Sequence, residues 1–368
     1  MPRQLATIQT VEKIRPIPNA DKIVVAEVLG WEVVIRKDEF KIGDKVVYIE
    51  VDSIVDPTNP YFAFMQERKY RVRAIKLRKQ ISMGLCCPIS ILPTKNYKIG
   101  DDVTDILKIT KYDPEGDRER ALQEQQDGVK RSRINKFLYR SSLYRRIFGK
   151  KKEYKGFPKF IKKTDEERIQ NMPWVCRDQD TQFFVTEKLD GQSASYFLLH
   201  NKKKWYQRKA TFTFGVCSRN VYLRKKDSSN YWKIAEKYNI EATLYNLIGD
   251  SEFIVLQGEI CGTGVQCAQV NPYKLTGLEF YAFNLVFDGR RVNHNSMVEL
   301  LSPLSILTVP LLYNTYTLNT DVHEVVRDSI GTSKLLANIQ REGFVIRNYE
   351  KNISFKVLNP EYLLQENS

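Results

Sequence analysis

The chain has 368 residues, 42% of them hydrophobic, with 58 Lys and Arg against 44 Asp and Glu, a formal net charge of +14 and a pI near 9.3. This composition supports two or three domains with real cores and excludes a disordered polymer. No run approaches the roughly 18–20 apolar residues that span a bilayer, and the opening MPRQLATIQTVEK lacks the apolar stretch of a secretory leader. An intracellular protein is expected, cytoplasmic or nuclear and not secreted, with no membrane partner. The positive balance suits a polyanion, because each cation near a phosphate releases condensed counterions.

Residues 1 to about 105 read as a small β-barrel. The run IVVAEVLGWEVVIRKDEF alternates and is rich in Val and Ile, the turn KIGD follows, and KVVYIEVDS is a second strong strand signal. Short strands punctuated by Gly, Pro and Asp suggest an OB-fold. The basic run RVRAIKLRKQ suits a groove that tracks phosphates. Residues 106–165 change character. DPEGDRERALQEQQDG is polar, and VKRSRINKFLYRSSLYRRIFGKKK carries cations without an acid. It reads either as a helix laid along a phosphate backbone or as a solvated basic linker.

From residue 166 to 368 the pattern is α+β. FFVTEKLDGQSASYFLL, EFIVLQGEICG, LEFYAFNLVFD, EGFVIRNY and NISFKVLN are strand-like, and YWKIAEKYNIEATLYNLIG and VHEVVRDSIGTSKLLANIQR read as helical connectors. Six cysteines (Cys86, Cys87, Cys176, Cys217, Cys261 and Cys267) form no CxxC pair, and His200, His294 and His323 are isolated. A structural zinc site, a disulfide framework and histidine-based triads are all disfavoured.

The informative tetrapeptide is Lys188-Leu189-Asp190-Gly191. At ordinary residue frequencies K-x-D-G occurs by chance in roughly one such chain in ten. Its setting says more, because Lys188 closes the apolar strand FFVTE. A lysine held there is partly desolvated, which favours the neutral, nucleophilic amine. Gly191 would let the backbone come close to a nucleotide.

KLDG resembles motif I of the covalent nucleotidyltransferases, which comprise DNA ligases, RNA ligases and mRNA capping enzymes. Gly215-Val216-Cys217-Ser218-Arg219-Asn220 resembles motif Ia. Leu256-Gln257-Gly258-Glu259-Ile260-Cys261-Gly262 resembles motif III, and Glu279-Phe280-Tyr281-Ala282-Phe283-Asn284 motif IIIa. Glu342-Gly343-Phe344-Val345-Ile346-Arg347 resembles motif IV, and Ser354-Phe355-Lys356-Val357 motif V. The resemblance covers about the last 190 residues strongly and the N-terminal barrel more weakly.

Three departures refine it. Motif V has Leu358 where some members carry a second lysine, motif IIIa has Asn284 where an acid is frequent, and Ser193 stands where DNA ligases and capping enzymes commonly have arginine. Those two classes also place an OB domain after motif V, whereas the barrel here comes first. The match is nearer to nick-sealing RNA ligases of the RNA-ligase-2-like group. SMGL near residue 84, KTDEERIQNMP and FGVCSRN are similar to that group.

The resemblance implies an N-terminal OB domain (1–105), a basic linker or helical segment (106–165) and an ATP-grasp-like adenylyltransferase domain of antiparallel sheets with flanking helices (166–368). It implies ATP, a covalent AMP, Mg²⁺ or Mn²⁺, a monomer, and RNA or an RNA-containing nicked duplex as partner. Lys188 would be the nucleophile, with Lys356 and Glu342 also catalytic. Glu187, Asp190, Gly191, Arg219, Glu259, Phe283, Asn284, Glu342 and Lys356 would bind the nucleotide. Asp190, Glu259 and Glu342 would hold the metal, largely through water. Phe283 would stack on adenine, and Arg219 and Lys356 would meet phosphate.

All nucleotide motifs lie downstream of the barrel, so removing the first 100 or so residues is expected to spare adenylylation more than nick sealing. The barrel would select RNA on the 3′-hydroxyl strand through 2′-hydroxyls. Two rival readings are a DNA ligase or capping-type nucleotidyltransferase, and a noncatalytic RNA-binding nucleotide sensor.

Overall fold

The computed structural model of the chain describes residues 4–94, 96–112, 157–201, 211–223, 228–265 and 271–365. The basic run between residues 129 and 152 lies outside them, as does Cys267. The described residues divide into two compact units that are discontinuous in sequence. The first is drawn from Met1–Asp113, Glu166–Leu189 and Pro310–Ser368, and the second from Pro114–Asp165 and Asp190–Val309.

In the first unit the Val- and Ile-rich N-terminal runs become short antiparallel strands. Lys45–Ile49 lies between Ala6–Thr10 and Leu85–Pro88, and Lys13–Pro16, Ile23–Val28 and Trp31–Arg36 form a meander. Alternation sets the faces, with Trp31, Val33 and Ile35 inward along one strand. Leu29 and Gly30, both at positive φ, make the two-residue turn of that meander. Gly30 is required there for a second reason: a Cβ would come within 2.9 Å of Val322 Cγ1.

The barrel does not close on its own residues. Leu358 and Leu363, from the C-terminal strand Ile353–Leu358 and helix Pro360–Gln365, belong to the same buried cluster as Trp31, Tyr48 and Met83. The rest of the first unit is a five-stranded sheet ordered Glu167–Arg168, Ile353–Leu358, Gly343–Asn348, Phe183–Lys188, Leu311–Tyr316. Phe183, Val185, Phe344, Ile346, Phe355 and Val357 bury one of its faces, with Val325 and Val326 of helix Val322–Asp328.

The stretch VHEVVRDSIGTSKLLANIQR, expected to be one helical connector, is helical only over Val322–Asp328. Gly331, at φ +152°, leaves the helix path, and a Cβ there would fall 2.1 Å from the Arg341 guanidinium. YWKIAEKYNIEATLYNLIG likewise splits into Asn230–Lys237 and Ile240–Leu247, because Asn239 between them is left-handed.

The second unit is built on a sheet in which Gln192–Asn201 pairs with Thr211–Cys217 and Phe253–Gly262, and Phe253–Gly262 pairs with Leu278–Phe287. Its core face carries Tyr196, Leu198, Leu256 and Phe280, covered by Ile234, Ile240, Leu244, Met297 and Leu301 from the two helices above and from His294–Leu301. The other face packs Phe197 and Val255 against Phe157, Phe160 and Ile161. The protein is thus an α+β chain of antiparallel sheets with flanking helices. Among the described residues no helix is long and apolar enough to cross a membrane.

Candidate active site

The candidate residues fall in both units, and each set is described within its own. In the first, the strand Phe183–Lys188 runs between two antiparallel neighbours, with Lys188 opposite Gly343 and Glu187 opposite Phe344. Opposed residues share a face and successive residues alternate. Lys188 and Thr186 therefore share a face with Val345 and Lys356, which are themselves opposed, and Arg168 is opposed to Lys356 across a parallel pairing. The face opposite is the apolar core. A single sheet surface thus carries Lys188, Lys356, Arg168 and Arg347.

Lys188 Nζ donates to Glu342 Oε1 at 2.6 Å. Gly343 makes this reach possible. It sits at φ +150°, and a Cβ there would lie 2.1 Å from the Val357 carbonyl oxygen, so only glycine lets the chain turn into the strand at this point. Glu342 Oε2 is buried and has no hydrogen-bond partner among the described residues. Lys356 is buried in the strand Ile353–Leu358.

Glu187 points the other way, into the core face. It is fully buried, and its Oε2 accepts from the Lys334 backbone N–H at 2.7 Å. Burial pushes its carboxyl above the usual glutamate range, against the pull of Ser333, the Lys334 amide and the Arg341 charge. The structure therefore joins Lys188, Glu342 and Lys356 on one side of the sheet and sets Glu187 on the other.

Two cations to which the motifs gave no role lie on the Lys188 face. Arg168 pairs with Glu50 at 3.7 Å, and Arg347 pairs with Glu166 at 3.3 Å, each arginine side chain being about 3% exposed. Asn171 Nδ2 donates to both Glu50 and Glu167. The period of two in EERI and VIRN was the available signal for their facing.

In the second unit, the Asp190 backbone N–H donates to the Tyr273 hydroxyl at 2.8 Å, and the Cys261 thiol lies 3.8 Å from the Asp190 carbonyl oxygen. Gly191 packs where a Cβ would meet Ile260 O at 2.4 Å and Glu259 Cγ at 2.9 Å. Its lack of a side chain brings the Gly191 backbone against the strand that carries Glu259. Glu259 is opposed to Ser193 and Tyr281, and Ser193 Oγ lies 2.7 Å from Thr164 Oγ1.

Arg219 follows the strand Thr211–Cys217 in a turn closed by Ser218 and Val221, and it pairs with Asp165 at 3.1 Å. Asn220 accepts from Lys163. The segment Lys163–Asp165 is therefore clasped against Ser193, Arg219 and Asn220, a grouping that sequence reading missed because some 30 to 60 residues separate its parts.

Phe283 occupies an irregular position. Gln257 is opposed to Asn284 and Gly258 to Ala282, so Phe283 is the extra residue of a β-bulge. It is half-buried, whereas Phe280 is fully buried in the core. Asn284 is buried. Its Nδ2 donates to Gln257 Oε1 at 2.9 Å, and Gln257 in turn donates to Ser195 Oγ and the Lys162 carbonyl. Asn284 Oδ1 has no hydrogen-bond partner among the described residues.

Comparison with known proteins agrees with this arrangement. A sequence model of an OB-fold domain matches residues 5–89, and one described as RNA ligase matches residues 181–358. Among solved structures, Naegleria gruberi RNA ligase with PPi is 32% identical over 98% of this chain and 98% of that one, with a TM-score of 0.75. The same ligase as a lysine-to-alanine variant with ATP and Mn is 30% identical over 98% of each chain, TM-score 0.76. A glutamate-to-alanine variant with AMP and Mn is 31% identical over 98% of each, TM-score 0.76. No curated protein matches the chain. At this identity and coverage the chain belongs to the RNA ligase family.

Proposed function

We propose that this chain seals RNA 3′-hydroxyl and 5′-phosphate ends, or nicks, using ATP, with Lys188 as the residue that carries AMP. The observation that supports it best is the pairing of Lys188 with Glu342 on the cationic face of a sheet whose other face is core. In the first step the Lys188 amine attacks the α-phosphorus of ATP. A P–N bond forms, the bond to the bridging oxygen breaks, and pyrophosphate leaves. The attacking amine must be free of its extra proton, and the Glu342 carboxylate group, 2.6 Å from Lys188 Nζ, is placed to direct that proton. The adenylate then passes to a 5′-phosphate oxygen, releasing the lysine. Finally a 3′-hydroxyl attacks that phosphate and AMP departs.

Each step is a displacement on a crowded anion, so positioning and charge neutralisation carry the catalysis. Lys356 and Arg219 supply positive charge to the phosphates. Phe283, left out of the ladder by its bulge, offers a ring face to adenine, and Asn284 Oδ1 is an acceptor awaiting a donor. Glu187 acts through the fold, tying the Ser333–Lys334 segment to the strand that ends in Lys188.

A divalent cation, Mg²⁺ or Mn²⁺, fits the donors present, since Glu342 Oε2 is a buried oxygen without a partner among the described residues. Asp190 and Glu259 are the other carboxylates that the resemblance assigns to the metal. Among the described residues no three acidic, histidine or cysteine side chains are grouped to hold a metal by themselves, and Mg²⁺ as a rule keeps several waters. Bound there, it would neutralise phosphate charge during transfer.

Variants solved for the Naegleria ligase include a lysine and an aspartate two positions apart, and a glutamate and a lysine fourteen apart. Lys188 and Asp190, and Glu342 and Lys356, have these spacings. The test is incubation with ATP and Mn²⁺ followed by peptide mass spectrometry, then sealing assays on nicks with RNA or DNA on either side. AMP on Lys188 and sealing that needs RNA at the 3′-hydroxyl side are expected. Label transfer from GTP alone would overturn the assignment.

A further inference from the structure

The first unit contains a groove of about 640 Å³ whose lining includes Glu67, Arg68, Lys69, Arg73, Lys76 and Leu364. None of these residues serves the nucleotide chemistry above. Four cations face one acid. Among the described residues none of the four makes an ion pair, and Arg73 Nε is buried without a hydrogen-bond partner. The neighbouring Arg71 differs: it is neutralised by Asp52 at 2.7 Å and lies over the Tyr112 ring. Uncompensated cations gathered in one depression repel one another, and an anion relieves that repulsion.

The backbone around the groove carries a second, independent signal. Lys69 and Tyr70 are both left-handed, and so are Arg78 and Lys79. Arg78 and Lys79 are the two turn residues between strands Ile75–Leu77 and Gln80–Ser82. A two-residue turn with positive φ at both positions favours Asn-Gly. Here exposed cations occupy it, so the hairpin carries two positive charges at its tip.

Arg68, Lys69, Lys76, Arg78 and Lys79 are all exposed and come from two separate elements, the end of the 3-10 helix Pro60–Arg68 and the hairpin. Solvated, mobile cations spread over two elements suit a chain of phosphates rather than one enclosed phosphate group. We infer that this groove and its hairpin bind the sugar–phosphate backbone of the RNA being sealed, independently of base sequence. The inference rests on the ligase reading and gives it a substrate surface.

The experiment compares wild type with the quadruple variant Arg68→Glu, Lys76→Glu, Arg78→Glu, Lys79→Glu. Fluorescence anisotropy on a nicked RNA duplex is measured from 50 to about 300 mM KCl, beside the rate of AMP attachment to Lys188. The variant should bind at least tenfold more weakly at low salt. Its log Kd against log salt should be shallower by about 3, since each lost phosphate contact removes roughly 0.9 from the slope. AMP attachment should match wild type.

Unchanged affinity and slope would overturn the proposal. So would a fall in AMP attachment by a variant that melts like wild type, because the groove would then serve the nucleotide's phosphates. Should the quadruple variant melt lower, Arg78→Glu with Lys79→Glu, confined to an exposed turn, replaces it in the same comparison. Failure of wild type itself to acquire AMP would refute the ligase reading and not the groove.

Discussion

Lys188 Nζ lies 2.6 Å from Glu342 Oε1 across 154 residues of sequence. The contact joins the lysine of KLDG to the residue that precedes Gly343, the glycine opposite Lys188 in the ladder. Lys188→Ala should abolish the protein–AMP adduct while the melting curve stays close to wild type. Glu342→Gln keeps the shape and removes the anion, so the rate of adduct formation should fall on the order of 10²- to 10⁴-fold. Quenched-flow sampling with intact-mass detection measures both. An adduct of normal yield in Lys188→Ala would show that the nucleophile lies elsewhere.

Gly343→Ala should be harmful although it adds one methyl group. At φ +150° the new Cβ would be 2.1 Å from a backbone oxygen of the adjacent strand. Relief requires moving that strand, which also bears Lys356. Strain at such a position costs about 1–3 kcal/mol, read as a lower denaturant midpoint, and AMP attachment should slow together with it. A variant as stable as wild type would show that the strand pair yields easily.

Removal of the first 105 residues should damage adenylylation as well as sealing. Sequence order alone suggested that adenylylation would be spared more than sealing. The barrel core, however, includes Leu358 and Leu363, and Arg168 keeps its charge buried against Glu50, with its guanidinium 5.7 Å from the centre of the Trp31 ring. Breaking a buried pair from one side costs roughly 3–5 kcal/mol, so the point variant Glu50→Ala should by itself lower the melting temperature clearly. Full AMP attachment by a 106–368 fragment would contradict this reasoning.

Glu187 gives a pH signature. Burial raises its folded-state constant above the ordinary value of 4.5, so the folded protein holds this proton more tightly than the unfolded chain does. The stability it contributes is complete below about pH 4.5 and is lost as pH rises through the raised value. Glu187→Gln keeps an acceptor for the Lys334 amide and removes the buried charge. The melting-temperature difference should favour the variant at pH 7.5 and shrink as pH falls toward 4.5. A gap that widens on acidification would reverse the sign.

The strands that carry the motifs were legible because they are apolar runs of strand length, some alternating and some continuous. Phe183–Lys188, Phe253–Gly262, Leu278–Phe287, Gly343–Asn348 and Ile353–Leu358 all form where their patterns place them. The charged residues of the candidate site were legible for a related reason, as polar interruptions in or beside apolar runs. Partnership across distance was not. Nothing in the spacing tells that Glu50 meets Arg168, that Lys163–Asp165 is clasped by Arg219 and Asn220, or that Leu358 completes the barrel core. The bulge at Phe283 was equally hidden, since one unpaired residue leaves the local hydrophobic pattern intact. Helix lengths were overread wherever a single left-handed or glycine position, Asn239 or Gly331, breaks an otherwise amphipathic run.

The two-faced sheet also restricts how this gene can change. Deleting or inserting one codon within the strand that ends at Lys188 would invert every side chain of that strand beyond the lesion. Lys188 would then be driven among Phe344 and Val357, and Glu187 would emerge among the arginines. Length variation in the chain should therefore collect outside this strand, and frame-preserving single-residue indels inside it should yield unfolded protein instead of weak enzyme.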